Sequence, residues 1–286
     1  MLKFLTLCIS GVMLGCIYGL IALGYGLIYK ASGLMSFVQG DMLTLGAFLG
    51  LPYWLSLLLT MLCAFAFGML LEKGVIRRLL NKKVMPIYVV LATIAISYIL
   101  QNGSQLIWGT WTLNFPSVFK VSTVKLFGLL AVQPEVILCL ILSMVSMVVL
   151  HLFMNKAKLG TAMRTSSMDS MAAESCSINV SLTTGITWGV SAMLAAMAGI
   201  LIGPMYGVYS SLGANLGNKG FAGAIAGGYG NMYGAIVGGI LLGLLEILVS
   251  GYVSSAYKNL IAYVALLLFL CIKPTGMFNE RAIQDV

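Results

Sequence analysis

The sequence predicts an all-α integral membrane protein: a bundle of about 7–8 transmembrane helices with glycine-broken or re-entrant segments and one short cytoplasmic helix between its halves. Three observations carry that prediction. Hydrophobic residues make up 60% of the 286-residue chain and charged residues 8%, with a mean hydropathy of +1.02; a soluble domain carries roughly 25% charged residues, and a water-facing surface cannot be built from so few. Continuous apolar runs approach or exceed the ~20 residues that cross a ~30 Å hydrocarbon core. Such runs satisfy their own backbone hydrogen bonds as helices, whereas a β-barrel would show short alternating segments. Finally, one polar island, KAKLGTAMRTSSMDSMAAESCSI from Lys156 to Ile178, lies between long apolar runs. A membrane protein that keeps such a loop outside the bilayer offers a docking surface to a partner.

The first span runs from Phe4 to Tyr29. Leu34 to Gly50 is short, holds Gln39 and Asp41 and is punctuated by Gly33, Gly40, Gly46 and Gly50, so it reads as a broken or re-entrant helix. Leu51 to Leu71 is a span that opens at Pro52, where proline's missing N–H costs nothing. Glu72 to Val84 reads as a basic loop with Lys73, Arg77, Arg78, Lys82 and Lys83. Pro86 starts a span ending near Trp108, and Gly109 to Gln133 is a polar connection. Pro134 to Met154 is a span and the island follows. Ser181 to Tyr206 is a span, Gly207 to Gly217 a Gly/Ser-rich loop, and Lys219 to Gly230 a second glycine-broken stretch. Asn231 to Gly251 and Ala256 to Ile272 are the last spans, before a polar tail from Lys273. Trp54, Trp108 and Trp111 fall where interfacial aromatic belts are expected.

The whole chain, 1–286, reads as one membrane domain. Its first half (about 4–107) and second half (about 181–272) each run span, broken polar stretch, span, span, with a loop at about 156–180 between them. Paired broken segments mark a transport pathway, because irregular backbone at membrane depth survives only beside protein or a watery cavity.

The net charge of +8 does not call for nucleic acid, since membrane proteins gather Lys and Arg in cytoplasmic loops. On that rule the loop at 72–84 is cytoplasmic. The island, two spans later, shares its side. If neither broken stretch crosses, Lys3 is inside and the tail outside; a cytoplasmic tail requires the second to cross and is favoured. The six cysteines form no CxxC pair and read as small buried hydrophobes. His151 is the single histidine, placed at a span end, and no metal site is expected of it.

Ser36, Gln39, Gly40 and Asp41 are candidates to line a polar path, Asp41 because an ionisable group at membrane depth is costly; the structural alternative is a cap or a pair with Lys30. Glu246 shares a helix face with Leu242 and Ser250, and either lines the path or bonds a neighbouring helix. Gly227 and Gly228 permit close backbone approach or act as a hinge.

Three stretches carry a family resemblance. Gly19 to Phe48 (GLIALGYGLIYKASGLMSFVQGDMLTLGAF) resembles a pattern of the form ALGY…GxxNFAHGExxxxGA. Gly160 to Val180 resembles GxAxRAxxxDxxxAxxxGIN, and Lys219 to Leu248 resembles KAFxAAVLGGxGSxxGAxxGGLxLGxxE. The tail, IKPTGMF, is similar to a PxGLFG ending. Together these resemble the permeases of branched-chain amino acid ABC transporters, and more closely the first of their two permease subunits.

The resemblance implies a cytoplasmic coupling helix within Gly160 to Ser175, with Gly160, Arg164, Asp169 and Ala172 at matched positions and Met163, Met168 and Met171 beside Ala172 as an apolar strip. It implies partners: cytoplasmic ATP-binding subunits, a second homologous permease in a homo- or heterodimer, and an extracytoplasmic solute-binding protein, in the inner (cytoplasmic) membrane. No cofactor is expected in this chain, which lacks GxxxxGK[ST]; ATP and Mg belong to the partner subunits. The family's Asn, His and Glu correspond here to Ser36, Gln39 and Asp41, and its loop Ala and Gly to Thr165 and Ser177. The substrate that follows is an amino acid or similarly small polar solute. The rival is an ion-coupled secondary transporter acting without an ATPase, for which Asp41 and Glu246 make a thin relay. An intramembrane enzyme ranks lower, as there is no HExxH and no Ser or Cys matched to a nearby His.

Overall fold

The computed structural model describes residues 2–32, 36, 38, 41, 53–82, 84–109, 111–112, 124–126, 130–273 and 276–278. Most of the expected spans form as helices: α1 (Leu2–Ser32), α2 (Tyr53–Leu71), α3 (Pro86–Trp108) and α4 (Pro134–Lys156), then α5 (Lys158–Met168) and α6 (Ser170–Ser175) in the island. Then come α7 (Val180–Tyr206), α8 (Leu212–Gly227), α9 (Met232–Tyr252) and α10 (Lys258–Ile272). Among the described residues six helices are long and apolar enough to cross a membrane, and Lys258–Ile272 is a shorter apolar one. The protein is an all-α membrane bundle.

Four expectations are corrected. The basic stretch after α2 is not a loop: a π-helical turn, Glu72–Ile76, and a last α-turn, Arg77–Asn81, prolong the helix. Its apolar residues Ile76, Leu79 and Leu80 keep the helical spacing, and Ile76 is buried with Ile28, Val89 and Trp188; Lys73, Arg78 and Lys82 are exposed, while the buried Glu72 pairs with Arg77 at 2.6 Å. The Gly/Ser-rich loop shrinks to 207–211, because α8 begins at Leu212. Glycine is a poor helix former in water, but here it supplies a face against which other backbones pack. Between α3 and α4 a short hairpin forms, β1 (Val124–Leu126) antiparallel to β2 (Leu130–Val132), with Lys125 opposite Ala131.

The fourth correction concerns the N-terminus. The end of α1 lies on the island's face: Ile28 packs on Ile76 and Trp188, and the guanidinium of Arg77 donates to the Ser181 carbonyl at 2.5 Å. The start of α1 lies at the other face, where the Lys3 ammonium is 5.8 Å from the centre of the Tyr252 ring. Hence α1 and α2 run parallel, and Lys3 is on the side opposite the island. The tail is on the island's face, with Met277 N and Phe278 N each donating at 3.0 Å, to the carbonyls of Ala226 and Gly227.

At the centre, α1 packs against α9, α8 and α7, and α2 packs against α7. The two halves therefore exchange partners: the first span of each lies on a later span of the other. Along α1–α9 the contact is backbone to backbone. A methyl group at Gly243 would sit 2.3 Å from Gly15 N, and one at Gly239 would sit 2.4 Å from Gly19 N. In α8–α9, a methyl at Gly238 would sit 2.1 Å from the Gly223 carbonyl oxygen. Met13 to Ile28 of α1 is largely buried, whereas Leu58, Leu62, Ile99 and Val148 on α2, α3 and α4 face outward, as lipid-facing side chains do. Gly243→Leu is expected to destabilise the folded chain by about 1–3 kcal/mol or more through overpacking, read as a lower unfolding midpoint in detergent. Gly103→Ala, where an added methyl meets nothing within 4 Å, is the control and leaves the midpoint in place.

Candidate functional site

Besides the Glu72–Arg77 pair near the island's face, two buried carboxylates mark polar places inside the bundle. The first surrounds Asp41. It is 2% exposed, its N–H donates to the Val38 carbonyl at 3.1 Å, and its Oδ2 accepts from the Ser97 hydroxyl of α3. Its Oδ1 and the Ser36 hydroxyl, also 2% exposed, have no hydrogen-bond partner among the described residues. Ser97 also lines a cavity of about 230 Å³ together with Tyr25, Tyr98, Gln101 and Asn218. Gln39 and Gly40 lie outside the described residues. A buried carboxylate oxygen without a donor is unfavourable; Ser97 is the one described residue that both bonds Asp41 and lines the cavity.

The second place holds Glu246, which does not line that cavity. Its carboxylate is buried in an ion pair: Lys219 Nζ is 2.5 Å from Oε1, the Tyr18 hydroxyl donates to Oε2 at 2.7 Å, and Lys258 Nζ lies 3.9 Å away. α1, α8, α9 and α10 thus meet on one carboxylate. Lys219 and Tyr18 were not singled out from the sequence. The available clue was a lysine in a glycine-rich apolar stretch with a single carboxylate one helix later. Gly227 and Gly228 serve packing: a methyl at Gly227 would overlap the Gly234 carbonyl at 1.9 Å, and one at Gly228 would sit 2.5 Å from the Phe278 carbonyl oxygen. Gly228 also holds φ +109°, a conformation that L side chains rarely adopt.

The island folds as two helices rather than one. The break falls at Asp169, whose Oδ1 accepts from the N–H groups of Met171 (2.8 Å) and Ala172 (3.0 Å) and so caps α6. Asn179 caps α7 in the same way, accepting from Leu182 N at 3.0 Å. Gly160 is buried, and a methyl there would lie 2.2 Å from the Phe153 carbonyl oxygen; glycine lets α5 fold back on the end of α4. The expected apolar strip divides. Met163 is 3% exposed and packs into the bundle, whereas Met168 (75%) and Met171 (78%) are uncovered, as is Ala172. Arg164 is exposed, and its Nη1 donates to Asn155 Oδ1 at 2.8 Å. Ser177, which stands where the resembling pattern has glycine, takes φ +61°, the left-handed conformation glycine adopts without strain.

Long apolar helices that enclose buried polar groups, with an exposed two-helix elbow at one face, define a multi-pass membrane permease. Residues 7–270 match the family model described as "Branched-chain amino acid transport system / permease component", and the chain belongs to that family. It is 28% identical, over 306 aligned positions spanning 100% of this chain and 98% of each relative, to the "High-affinity branched-chain amino acid transport system permease protein LivH" of Salmonella typhimurium (strain LT2) and of Escherichia coli (strain K12). No solved structure matches it. The chain is a multi-pass inner-membrane protein.

Removing one member of the buried pair leaves the other charged and alone, which typically costs about 3–5 kcal/mol. Glu246→Leu is therefore expected to lower the yield of folded protein and its unfolding midpoint sharply. The double variant Lys219→Met/Glu246→Leu recovers much of the loss; a double variant as unstable as the two single losses combined would refute the pairing.

Proposed function

We propose that this chain is the membrane-spanning subunit of an ABC importer, moving an amino acid or similarly small polar solute that a solute-binding protein delivers, with energy from separate ATP-binding subunits and a second permease beside it. The observation that carries this reading is the α5–α6 elbow. It projects from the bundle with Met168 and Met171 uncovered in an otherwise polar segment, and its own caps hold its shape. Exposed apolar side chains on a preformed surface of this kind fit a groove in a protein partner.

Charge supports a cytoplasmic elbow. Lys30, Lys73, Arg77, Arg78, Lys82, Lys156, Lys158, Arg164 and Lys273 lie at its face, against Lys3, Lys125 and Lys258 at the other, the asymmetry the positive-inside rule requires. The solute passes beside α1, α3 and α8, where Ser97, Tyr98, Gln101 and Asn218 line an open polar cavity, and Ser97 links it to Asp41, whose Oδ1 can accept from a donor such as an ammonium group. Movement of the elbow by the ATPases rocks these helices and opens the cavity to alternate faces. Lys219 and Glu246 hold α8 to α9 through the cycle.

Two substitutions separate docking from passage. Met168→Glu with Met171→Glu is expected to abolish co-purification of the ATP-binding subunits and uptake together, with insertion unchanged; normal co-purification would sink the docking surface. Asp41→Leu is expected to reduce uptake about tenfold or more while the complex still assembles, the loss of one charge-assisted contact; unchanged uptake kinetics would remove it from the pathway.

A further inference from the structure

Among the described residues, α3 is the least buried of the helices long enough to cross a membrane, and it is held unevenly along its length. Toward the island's face, Val89 is buried with Ile28, Ile76 and Trp188. At mid-helix, Ile96 and Leu100 rest on the cluster of Ala64, Ala192, Ala195 and Ala196. Beyond Leu100, Leu106 and Ile107 are among the most exposed apolar side chains of the molecule. A polar contact ties this outer end to the bundle: Gln105 Nε2 donates to Ser210 Oγ at 3.0 Å.

That contact stands at one end of the cavity beside Ser97. Ser97, Gln101 and Gln105 follow one another at single-turn spacing on one face of α3. The first two line the cavity of about 230 Å³, and α8 supplies Ala214, Gly217 and Asn218 to the same lining. Ser210 stands just before α8 begins. The Gln105–Ser210 bond therefore joins the α3 wall to the α8 wall one turn beyond Gln101, at the end away from the island. Gly103 lies between the packed part of α3 and Gln105. A methyl there meets nothing within 4 Å, so close packing does not call for glycine at this position as it does in α1, α8 and α9. Glycine inside a helix loosens it, because its backbone has more freedom than that of any other residue.

We propose that residues 103–108 are a gate on this cavity, with Gln105 and Ser210 as its latch and Gly103 as its bending point. The gate rests on the reading of the cavity as the solute path. The inner part of α3 stays seated on Ile76, Trp188 and the alanine cluster while the outer end swings. A neutral hydrogen bond suits a latch, since its net strength is small enough for it to break and re-form in each cycle. A polar solute arriving from that face can bond the Gln105 amide or the Ser210 hydroxyl in the other's place, so the latch opens without leaving a donor unpaired.

The test places a cysteine in the cavity, Gln101→Cys, in the full-length chain within right-side-out membrane vesicles. A negatively charged, membrane-impermeant methanethiosulfonate is added outside, and the parent chain with its six native cysteines sets the background. Labelling is expected to quicken about five- to tenfold when Gln105→Ala or Ser210→Ala is added, the loss of one hydrogen bond. It should keep its original rate in Ser210→Thr, which retains the hydroxyl, and slow in Gly103→Ala. Should Gln105→Ala fail to insert, Ser210→Ala decides. Rates untouched by the alanine variants at 105 and 210 overturn the latch, and a rate untouched by Gly103→Ala overturns the bending point. Leucine uptake by whole cells carrying the same latch variants on the Gln101 chain is read in parallel. Labelling that responds without any leucine uptake keeps the gate and counts against the import reading; uptake with labelling that does not respond keeps the import reading and removes the gate.

Discussion

Backbone contact between α1 and α9 is the constraint on which the rest of the structure depends. In lipid there is no hydrophobic force drawing two apolar helices together, so association rests on close packing and on polar contacts the lipid cannot supply. Gly15 and Gly19 meet Gly239 and Gly243 at distances that leave no room for a Cβ, and Gly223 and Gly227 bring α8 onto the other side of α9 in the same manner. Only with three backbones this close can the side chains of Tyr18, Lys219 and Glu246 reach one another. The ion pair is a consequence of the glycine contact and then locks it.

Two of the three buried carboxylates among the described residues, Glu246 and Asp41, show how environment separates roles. Glu246 has a lysine within 2.5 Å and a tyrosine hydroxyl at 2.7 Å; both of its oxygens are engaged, and its surroundings are complete. Asp41 has one oxygen on Ser97 and one without a partner among the described residues. A satisfied buried charge stiffens a fold, whereas an unsatisfied one stores a demand that a passing solute can meet. A carboxylate at similar burial is thus a clasp between helices at Glu246, and at Asp41 it is the group we propose meets the solute.

Much of this was legible in the sequence. Apolar runs gave the long helices to within a few residues, because length and hydropathy alone decide what crosses a membrane. The island was legible too. What escaped had one physical origin: local chemistry read without its tertiary setting. The residues from Glu72 to Asn81 looked like a loop because they are basic, yet Ile76 and Leu79 kept the helix packed. The glycines of α8 looked like breaks because glycine is a poor helix former in water, yet they are its packing face. The side of Lys3 was misjudged because it was counted from loop charge, whereas the contacts made by the two ends of α1 place it. Lys219 was passed over because its partner, Glu246, is 27 residues away. For the same reason the GxxxGxxxG spacing of Gly11, Gly15 and Gly19 meant little until α9 lay beside it.

The exchange of partners between the halves also sets a timetable. α1 is made first, but the residues that cover it belong to α7, α8 and α9; Tyr18 and Glu246 lie 228 positions apart. At a synthesis rate of ~5–20 residues per second, α1 waits on the order of ten to forty seconds for its partner. Throughout that interval its glycine face and the Tyr18 hydroxyl must lie against lipid, the insertion machinery or another chain. Biogenesis of this protein is therefore a problem of holding an unfinished helix in the bilayer until the last third of the chain arrives.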